Sequence, residues 1–269
     1  MAIYTPIGWC DSTVNGTSGC DGCELWNGDD IRICYAGNIQ EDRLAKSLPH
    51  LYAENFQEVR LVPGRMMQAA GWSDLTGKIR PDKPWLNGKP RMVFVGDMGD
   101  FFSRAVPDDY IIDEIFGAIC SPKGQRHFWL LLTKQIHRLA SLSKKIGRLP
   151  DNAMAMTSIT DQSFADHRMP RLLDVDCKWR GVSAEPLFGP ITLKREWLEK
   201  IDWLIIGGVS GDSFDERPMN LAWLEDLAAQ CKAANVPVFV KQDSAPRPGM
   251  QGRISDGLCS KEISEGIVK

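Results

Sequence analysis

Short apolar runs recur along the chain, and most of them are hydrophobic at every position rather than at alternate ones. The runs are Val59–Val62, Met92–Val95, Phe128–Leu132, Ala153–Met156, Gly181–Ser183, Trp203–Ile206 and Val238–Val240. Uninterrupted apolar runs of this length are typical of parallel strands that are covered on both faces. The pattern therefore predicts seven buried strands, with a further strand near Ala2–Trp9.

Amphipathic segments with helical spacing lie between these strands. They are Glu41–Asn55, Asp108–Cys120, Gln135–Ile146, Phe164–Leu173 and Leu221–Ala234. Alternating strands and helices build right-handed βαβ units around a parallel sheet. We therefore expect an α/β fold in which residues 1–269 form a single parallel (β/α) barrel, complete or partial and TIM-like, with an N-terminal cysteine loop at 10–36. The irregular stretch 71–90 is predicted to be an insertion or lid over the barrel mouth.

Composition and charge narrow the class of protein. The chain has 269 residues, 43% of them hydrophobic, and a formal net charge of −3. Such a chain folds into a globular protein, and its overall charge does not suit one that coats nucleic acid or an anionic membrane. It contains no run of roughly 18 apolar residues and does not begin with a signal peptide, so we expect a cytoplasmic protein with no membrane partner.

The eight cysteines are unevenly distributed, and Cys10, Cys20, Cys23 and Cys34 lie close together in the sequence. Cys20 and Cys23 form a CxxC motif on a glycine turn, a spacing that lets two thiolates reach one metal centre. The turn residues argue against a thioredoxin-type dithiol, which should begin a helix. Four thiolates, with Cys10 included, predict a closed zinc or iron–sulfur site. Three thiolates leave one iron of a four-iron cluster open to a substrate or cofactor.

Polar residues follow the predicted strands, and in a parallel barrel these strand ends meet at the face where barrel enzymes place their sites. We predict three catalytic residues, Lys134, Glu185 and Lys241. The predicted cofactor-binding residues are Asp97, Asp100, Ser183, Gly207, Gly208, Ser210 and Gln242. Two alternatives stay open: a Glu185–Lys241 salt bridge across the mouth, and a tight turn that accounts for the glycines.

Several motifs are similar to those of one known family. They are Ile7-Gly8-Trp9-Cys10-Asp11-Ser12-Thr13-Val14-Asn15, Gly19-Cys20, Cys34-Tyr35-Ala36, Gly96-Asp97-Met98-Gly99-Asp100-Phe101-Phe102, Leu132-Thr133-Lys134, Ser183-Ala184-Glu185-Pro186-Leu187-Phe188-Gly189-Pro190, Ile201-Asp202-Trp203, Arg217-Pro218-Met219 and Val240-Lys241-Gln242. In their order they resemble an uncharacterised phage- and prophage-associated family, whose three-cysteine motif is similar to that of radical S-adenosylmethionine enzymes. Cys10 stands where that family usually has threonine, and Val209 where it commonly has glutamate.

The resemblance implies a [4Fe–4S] cluster on Cys20, Cys23 and Cys34, with S-adenosylmethionine as the second cofactor. The chain is then a radical enzyme that receives electrons from a flavodoxin- or ferredoxin-type partner, and a separately encoded protein partner fits a phage-associated family. The alternatives are a non-catalytic nucleotide- or partner-binding barrel with a structural zinc, and a non-radical iron–sulfur enzyme whose open iron acts as a Lewis acid.

The basic residues suggest a substrate. Between residues 115 and 150 there are seven basic residues and no acidic one, and Trp72 and Trp85 in the stretch 71–90 offer stacking surfaces. This combination favours a nucleic-acid base or a nucleotide, modified or repaired by the enzyme. The alternative is a solvated helix face without a ligand.

Overall fold

The computed structural model describes residues 1–27, 30–211 and 213–267. Their strands are β1 Ser12–Val14, β2 Thr17–Ser18, β3 Arg60–Leu61, β4 Arg91–Val95, β5 His127–Thr133, β6 Ala153–Ser158, β7 Trp179–Ala184, β8 Trp203–Gly207 and β9 Val238–Gln242. All except β2 and β3 form one parallel sheet in the order β1-β4-β5-β6-β7-β8-β9, while β2 pairs antiparallel with β3. The α/β class and the parallel sheet are thus confirmed.

The sheet is an open, curled half-barrel. In the described residues β1 and β9 are its edges and do not pair with each other, so of the two predicted alternatives, a complete or a partial barrel, the sheet forms the partial one. The run Val59–Val62 was wrongly assigned to the main sheet, because an apolar run does not reveal which strand it will pair with. From Ala2–Trp9, only Ala2 forms a bridge, to Thr13 of β1.

The helices mostly lie where the sequence predicts them. They are α1 Tyr35–Ile39, α2 Ala45–Ser47, α3 Arg65–Ala70, α4 Asp108–Tyr110, α5 Gly117–Cys120, α6 Ile136–Lys145, α7 Gln162–Leu173, α8 Arg195–Leu198 and α9 Leu221–Ala233. Short π-helical stretches, Gln40–Leu44 and Ile111–Phe116, join α1 to α2 and α4 to α5. The prediction Glu41–Asn55 is displaced: the helix ends at Ser47, because Pro49 disfavours helical geometry at Leu48.

No helix in the described part of the chain is long and apolar enough to cross a membrane.

The two faces of the sheet bury separate apolar clusters, which explains why the strands are hydrophobic at successive positions. On the outer face Val93, Val95 and Leu131 belong to the cluster that includes the helices. On the concave face the alternate residues Met92, Phe94, Phe128, Leu130, Met154, Met156, Trp203, Ile205 and Phe239 form the second cluster, together with Trp9, Cys10 and Leu86. Since side chains alternate along a strand, each strand supplies both clusters.

Terminal segments cover both edges of the half-barrel. Ala2 bridges to Thr13 at the β1 edge, and Lys261 bridges to Phe239 at the β9 edge. Within the concavity, the Trp9 ring lies 4.8 Å from that of Phe94 and 6.3 Å from that of Trp203, measured between centroids. The open sheet is therefore filled inside and protected at its edges without being closed.

The stretch 71–90 packs at the amino-terminal end of the sheet. Lys83 Nζ donates to the carbonyl oxygens of Thr5, Ile7 and Cys10 at 2.7, 2.7 and 2.6 Å. Arg91, the first residue of β4, donates from Nε to the carbonyl of Ser73 at 2.9 Å. This stretch therefore covers the end opposite to the carboxyl ends of the strands, and the prediction that it is a lid over the mouth is corrected.

His127, the first residue of β5, is fully buried. Its Nε2 lies 3.1 Å from the carbonyl oxygen of Ala70. Burial lowers the pKa of His127 to about 4, and the hydrogen bond to Ala70 only partly offsets this. The imidazole is therefore neutral in the folded protein near neutral pH.

This burial predicts a loss of stability in mild acid. Between pH 6.5 and 4 the unfolded chain binds a proton at His127 that the folded protein does not, so stability is present above pH 6.5 and lost as the pH falls through this window. In His127→Gln, we expect the free energy of unfolding to lose about 1–2 kcal/mol less between pH 7 and 4.5 than in wild type. Urea unfolding at several pH values measures it, and parallel pH profiles for the two proteins would contradict the assignment.

Candidate functional site

The described residues of the cysteine loop that surround Cys20, Cys23 and Cys34, 20–27 and 30–34, lie at the carboxyl ends of the central strands. On one side Glu24 is held by Arg168 of α7, which donates from Nη1 and Nη2 to the two carboxylate oxygens at 2.8 Å each. Arg168 Nη1 also donates to the carbonyl of Ser158, the last residue of β6, at 2.9 Å. Lys134 Nζ, directly after β5, lies 3.5 Å from Glu24 Oε1. Glu24 therefore ties the loop to the ends of two strands.

Glu24 and the two cations beside it, Arg168 and Lys134, are nearly buried. The side chains of Glu24, Arg168 and Lys134 are 11%, 7% and 16% exposed. Although burial acts to raise it, the hydrogen bonds from Arg168 and the charge of Lys134 lower the pKa of Glu24 to about 2. The carboxylate is thus ionised across the physiological range and neutralised by two cations.

Asp21 anchors the other side of the loop. Its carboxylate accepts a hydrogen bond from the Ser103 hydroxyl and another, 2.6 Å long, from the backbone amide of Arg104. Gly19 and Gly99 form a bridge in which their backbones are so close that a Cβ on Gly99 would lie 2.5 Å from the carbonyl oxygen of Gly19. The two acidic residues of the Cys-Asp-Gly-Cys-Glu sequence are therefore the anchors of the loop.

The backbone amides near the three thiols favour their charged forms. Leu25 donates its backbone N–H to Cys23 Sγ at 3.4 Å. The backbone N–H groups of Gly22, and of Gly37 and Ala36, act to lower the pKa of Cys20 and Cys34, respectively. Gly22 has a φ of +90°, a conformation that residues other than glycine rarely adopt. Amide donors directed at sulfur stabilise thiolates and are characteristic of thiolate ligands.

The thiols also share one electrostatic environment. Cys20 and Cys34 pack against an apolar cluster that contains Trp26 and Phe56, and burial raises the pKa of both thiols. A charge on Cys23 raises the pKa of both thiols, whereas the positive charge of Lys134 lowers the pKa of Cys34. Lys134 Nζ lies 3.5 Å from Cys23 Sγ. Burial alone would keep the thiols of Cys20 and Cys34 protonated, whereas the lysine and the nearby amides favour the charged form.

Cys10 lies apart from this group. It is fully buried in the concave cluster with Trp9 and Phe94, and its carbonyl oxygen accepts the hydrogen bond from Lys83. Among the described residues, no group of three or more His, Cys, Asp or Glu side chains is arranged to hold a metal ion, whether Cys10 is included or not. Cys10 belongs to the concave cluster, whereas Cys20 and Cys34 pack against the separate cluster that contains Trp26 and Phe56.

The concave face carries a polar layer above its apolar floor, and we call Thr13, Asp97, Ser183, Glu185, Gly207 and Lys241 the polar layer. Ser183 pairs with Ile205 and Lys241 follows Phe239 by two positions, so both continue the inward rows of the concave cluster. Lys241 Nζ lies 2.8 Å from Glu185 Oε1, and the Ser183 hydroxyl donates to Glu185 Oε2 at 3.1 Å. The alternative salt bridge across the mouth is therefore present.

Asp97 and Tyr35 connect the polar layer to the cysteine loop. Asn15 Nδ2 donates to Asp97 Oδ1 at 2.6 Å. Tyr35, next to Cys34, donates from its hydroxyl to the backbone carbonyl of Asp97 at 2.6 Å. Burial raises the pKa of the Asp97 carboxyl, and the side chains of Asn15 and Thr13 act to lower it. The polar layer is therefore adjacent to the cysteine loop.

Other residues predicted to bind a cofactor are occupied by contacts within the protein. Both oxygens of Asp100 accept from the Thr133 hydroxyl at 2.8 Å, and the Lys134 amide donates to one of them at 3.1 Å. Gln242 Nε2 donates to the carbonyl of Gly208 at 2.9 Å, while its Oε1 accepts from Gly249. These residues join neighbouring loops, and their side-chain groups are engaged within the chain.

Gly207, the last residue of β8, and Gly208, which follows it, allow the neighbouring loops to pack closely. A Cβ on Gly208 would lie 2.4 Å from Ser244 N, and one on Gly207 would lie 2.8 Å from Glu185 Oε1. Ser210 bridges to Ala245. The tight-turn alternative thus accounts for Gly208 and Ser210, whereas Gly207 leaves room for the Glu185 carboxylate.

Sequence reasoning missed Glu24, Arg168, Asp21 and Tyr35. The acidic residues gave one usable signal, since each directly follows a cysteine of the CxxC motif. Arg168 gave none, because its partner lies 144 residues away in the chain.

The fold and the contacts at the carboxyl ends of the strands define an α/β half-barrel protein with a cysteine loop over those strand ends. A family model described as "Protein of unknown function (DUF5131)" matches residues 4–261, and the chain belongs to that family. Neither the curated proteins nor the solved structures include a match to this chain.

The anchoring of the loop can be tested at Arg168. Removing one partner of a buried ion pair leaves the other charge uncompensated, so we expect Arg168→Met to lower the free energy of unfolding by about 3 kcal/mol. Arg171→Met, on the same helix, removes only an exposed pair with Asp174 and should cost about 0.5 kcal/mol or less. Urea unfolding compares the two variants, and equal losses would contradict the role given to Arg168.

Proposed function

We propose that the chain is a radical-type enzyme that uses a [4Fe–4S] cluster, held by Cys20, Cys23 and Cys34, together with S-adenosylmethionine. The observation that carries the proposal is the set of three thiols in one electrostatic environment, in which Cys23 Sγ accepts from the backbone amide of Leu25 at 3.4 Å and lies 3.5 Å from Lys134 Nζ. Free structural cysteines have no need of this arrangement, since a buried thiol is a small apolar side chain.

The donor set fits a multi-iron cluster better than a single zinc ion. Zinc needs its ligands around one point, and Cys10, the fourth thiol that such a site requires, lies in the concave cluster. In a four-iron cluster each thiolate binds a different iron, so the sulfurs stand further apart and three of them suffice. The backbone amides near the three sulfurs and their partly buried environment suit the sulfurs of such a cluster.

When bound, a cluster with one open iron supplies a reducing electron to S-adenosylmethionine. The residues of this chain hold and tune that site. Lys134 stabilises the thiolates of Cys23 and Cys34, while Glu24 fixes the lysine and the loop. The apolar floor excludes water from the concavity, and the Glu185–Lys241 pair offers a carboxylate and an ammonium group for orienting a substrate.

We propose a nucleobase or nucleotide as the substrate, and not a nucleic-acid backbone held along the basic flank. Lys123, Arg126, Lys134, Arg138, Lys144, Lys145 and Arg148 form that flank. Arg138 and Lys145 share Asp108, Arg148 faces Asp151 and Asp176, and Arg126 binds backbone carbonyls. These charges are largely neutralised within the protein. Trp72 and Trp85 lie with the stretch 71–90 at the opposite end of the sheet.

The same proposal includes a cytoplasmic location and an electron donor of the flavodoxin or ferredoxin type. It also includes a separately encoded protein partner, as fits a phage-associated family. They follow from the cofactor and from the motif resemblance.

Anaerobic purification with iron and sulfide analysis tests the cluster. We expect about four iron and four sulfide per wild-type chain, and a loss of nearly all of both in Cys20→Ser, Cys23→Ser and Cys34→Ser. Cys10→Ala is the matched control, because it removes a buried thiol outside the loop, and it should keep its iron. A colourless protein with one zinc per chain, or loss of metal only in Cys10→Ala, would overturn the proposal.

Cofactor use has its own test. After dithionite reduction, the wild-type protein should convert S-adenosylmethionine to 5′-deoxyadenosine, whereas Cys23→Ser should not. An intact cluster that binds S-adenosylmethionine without cleaving it would favour the Lewis-acid role for the open iron over radical chemistry.

A further inference from the structure

The charges around the polar layer are unevenly distributed. On the β9 side, Lys241 forms the ion pair with Glu185, and Lys261 donates to the carbonyl of Val240 and stacks over the Phe239 ring at 4.6 Å. Glu185 also feels the charge of Lys261. The carboxylate on this side is therefore balanced by two lysines.

Asp97, on the β1 and β4 side, has a different environment. Its Oδ1 atom accepts a hydrogen bond from the neutral side chain of Asn15 at 2.6 Å, and the neutral side chain of Thr13 also acts on the carboxylate. The amino group of Met1 acts on it only at longer range, and in the described residues no cation forms an ion pair with it. A buried carboxylate without a cation is costly, and that cost falls when a ligand supplies the positive charge.

Asp97 lies beside the polar layer of the concave face. Thr13 pairs in register with Phe94 of the concave cluster, so its side chain, which acts on the Asp97 carboxylate, is on the concave face. The Tyr35 hydroxyl, bonded to the Asp97 carbonyl, feels both Asp97 and Glu185 electrostatically, and also Cys34. Asp97 therefore lies between the polar layer and the cysteine loop.

We propose that Asp97 binds the positively charged centre of the molecule held in the polar layer. In an enzyme that uses S-adenosylmethionine, on which this inference rests, that centre is the cofactor's sulfonium group. Asp97 then favours the positively charged cofactor over an uncharged thioether analogue that lacks one methyl group.

Binding measurements with three related molecules test the assignment. S-adenosylmethionine carries the sulfonium, S-adenosylhomocysteine has a neutral thioether, and sinefungin has an amine at the same position. By anaerobic calorimetry on the reconstituted protein, we expect S-adenosylhomocysteine to bind about tenfold more weakly than S-adenosylmethionine, with sinefungin close to the latter. In Asp97→Asn, which keeps an oxygen to accept from Asn15, the ratio should fall to about one to two.

Asp113→Asn is the control, because it removes one negative charge from an exposed position on the outer helices, and it should keep the wild-type ratio. Thermal unfolding and iron content establish that Asp97→Asn is folded and loaded. Equal affinities for charged and uncharged molecules in wild type, or a ratio unchanged in Asp97→Asn, would overturn this inference and leave the cofactor proposal standing. Failure of all three molecules to bind a cluster-loaded protein would overturn the cofactor proposal and this inference together.

Discussion

The ionised carboxylate of Glu24 is the interaction on which the candidate site depends. It lies within the cysteine loop, yet its partners, Arg168 and Lys134, belong to a helix and to the end of a strand. Because all three side chains are nearly buried, none can leave without exposing an uncompensated charge to an apolar environment. This requirement holds Cys23 beside Lys134 and brings the loop over the carboxyl ends of the sheet.

The half-barrel supplies what such a loop needs beneath it. Its concave face is filled by aromatic and sulfur-containing side chains, and polar groups appear only in the layer nearest to the loop. A fully closed barrel would pair β1 with β9, whereas here the segments around Ala2 and Lys261 cover those edges. The polar layer is therefore open towards Tyr35 and Cys34, while the opposite end is covered by the stretch 71–90.

The sequence predicted the strands and most helices because bare apolar runs and amphipathic spacing are local patterns. It misassigned Val59–Val62, since strand pairing depends on topology. It predicted the Glu185–Lys241 pair, whose residue types and strand-end positions are visible in the chain, while the assignment of the cysteines as cluster ligands stays a prediction. It could not separate Asp97, whose carboxylate accepts from the neutral Asn15 side chain, from Asp100, whose oxygens accept from Thr133, because both follow the same strand. The Glu24–Arg168 contact could not be predicted from the sequence either, since only the folded sheet brings these residues together.

Anomalous diffraction at the iron absorption edge, from crystals of protein purified without oxygen, tests the central claim most directly. The account predicts a compact iron cluster over the carboxyl ends of β5 and β6, with the Sγ atoms of Cys20, Cys23 and Cys34 each bound to a different iron and no bond from Cys10. A single metal ion coordinated by four thiolates including Cys10, or three metal-free thiols in well-loaded crystals, would contradict it.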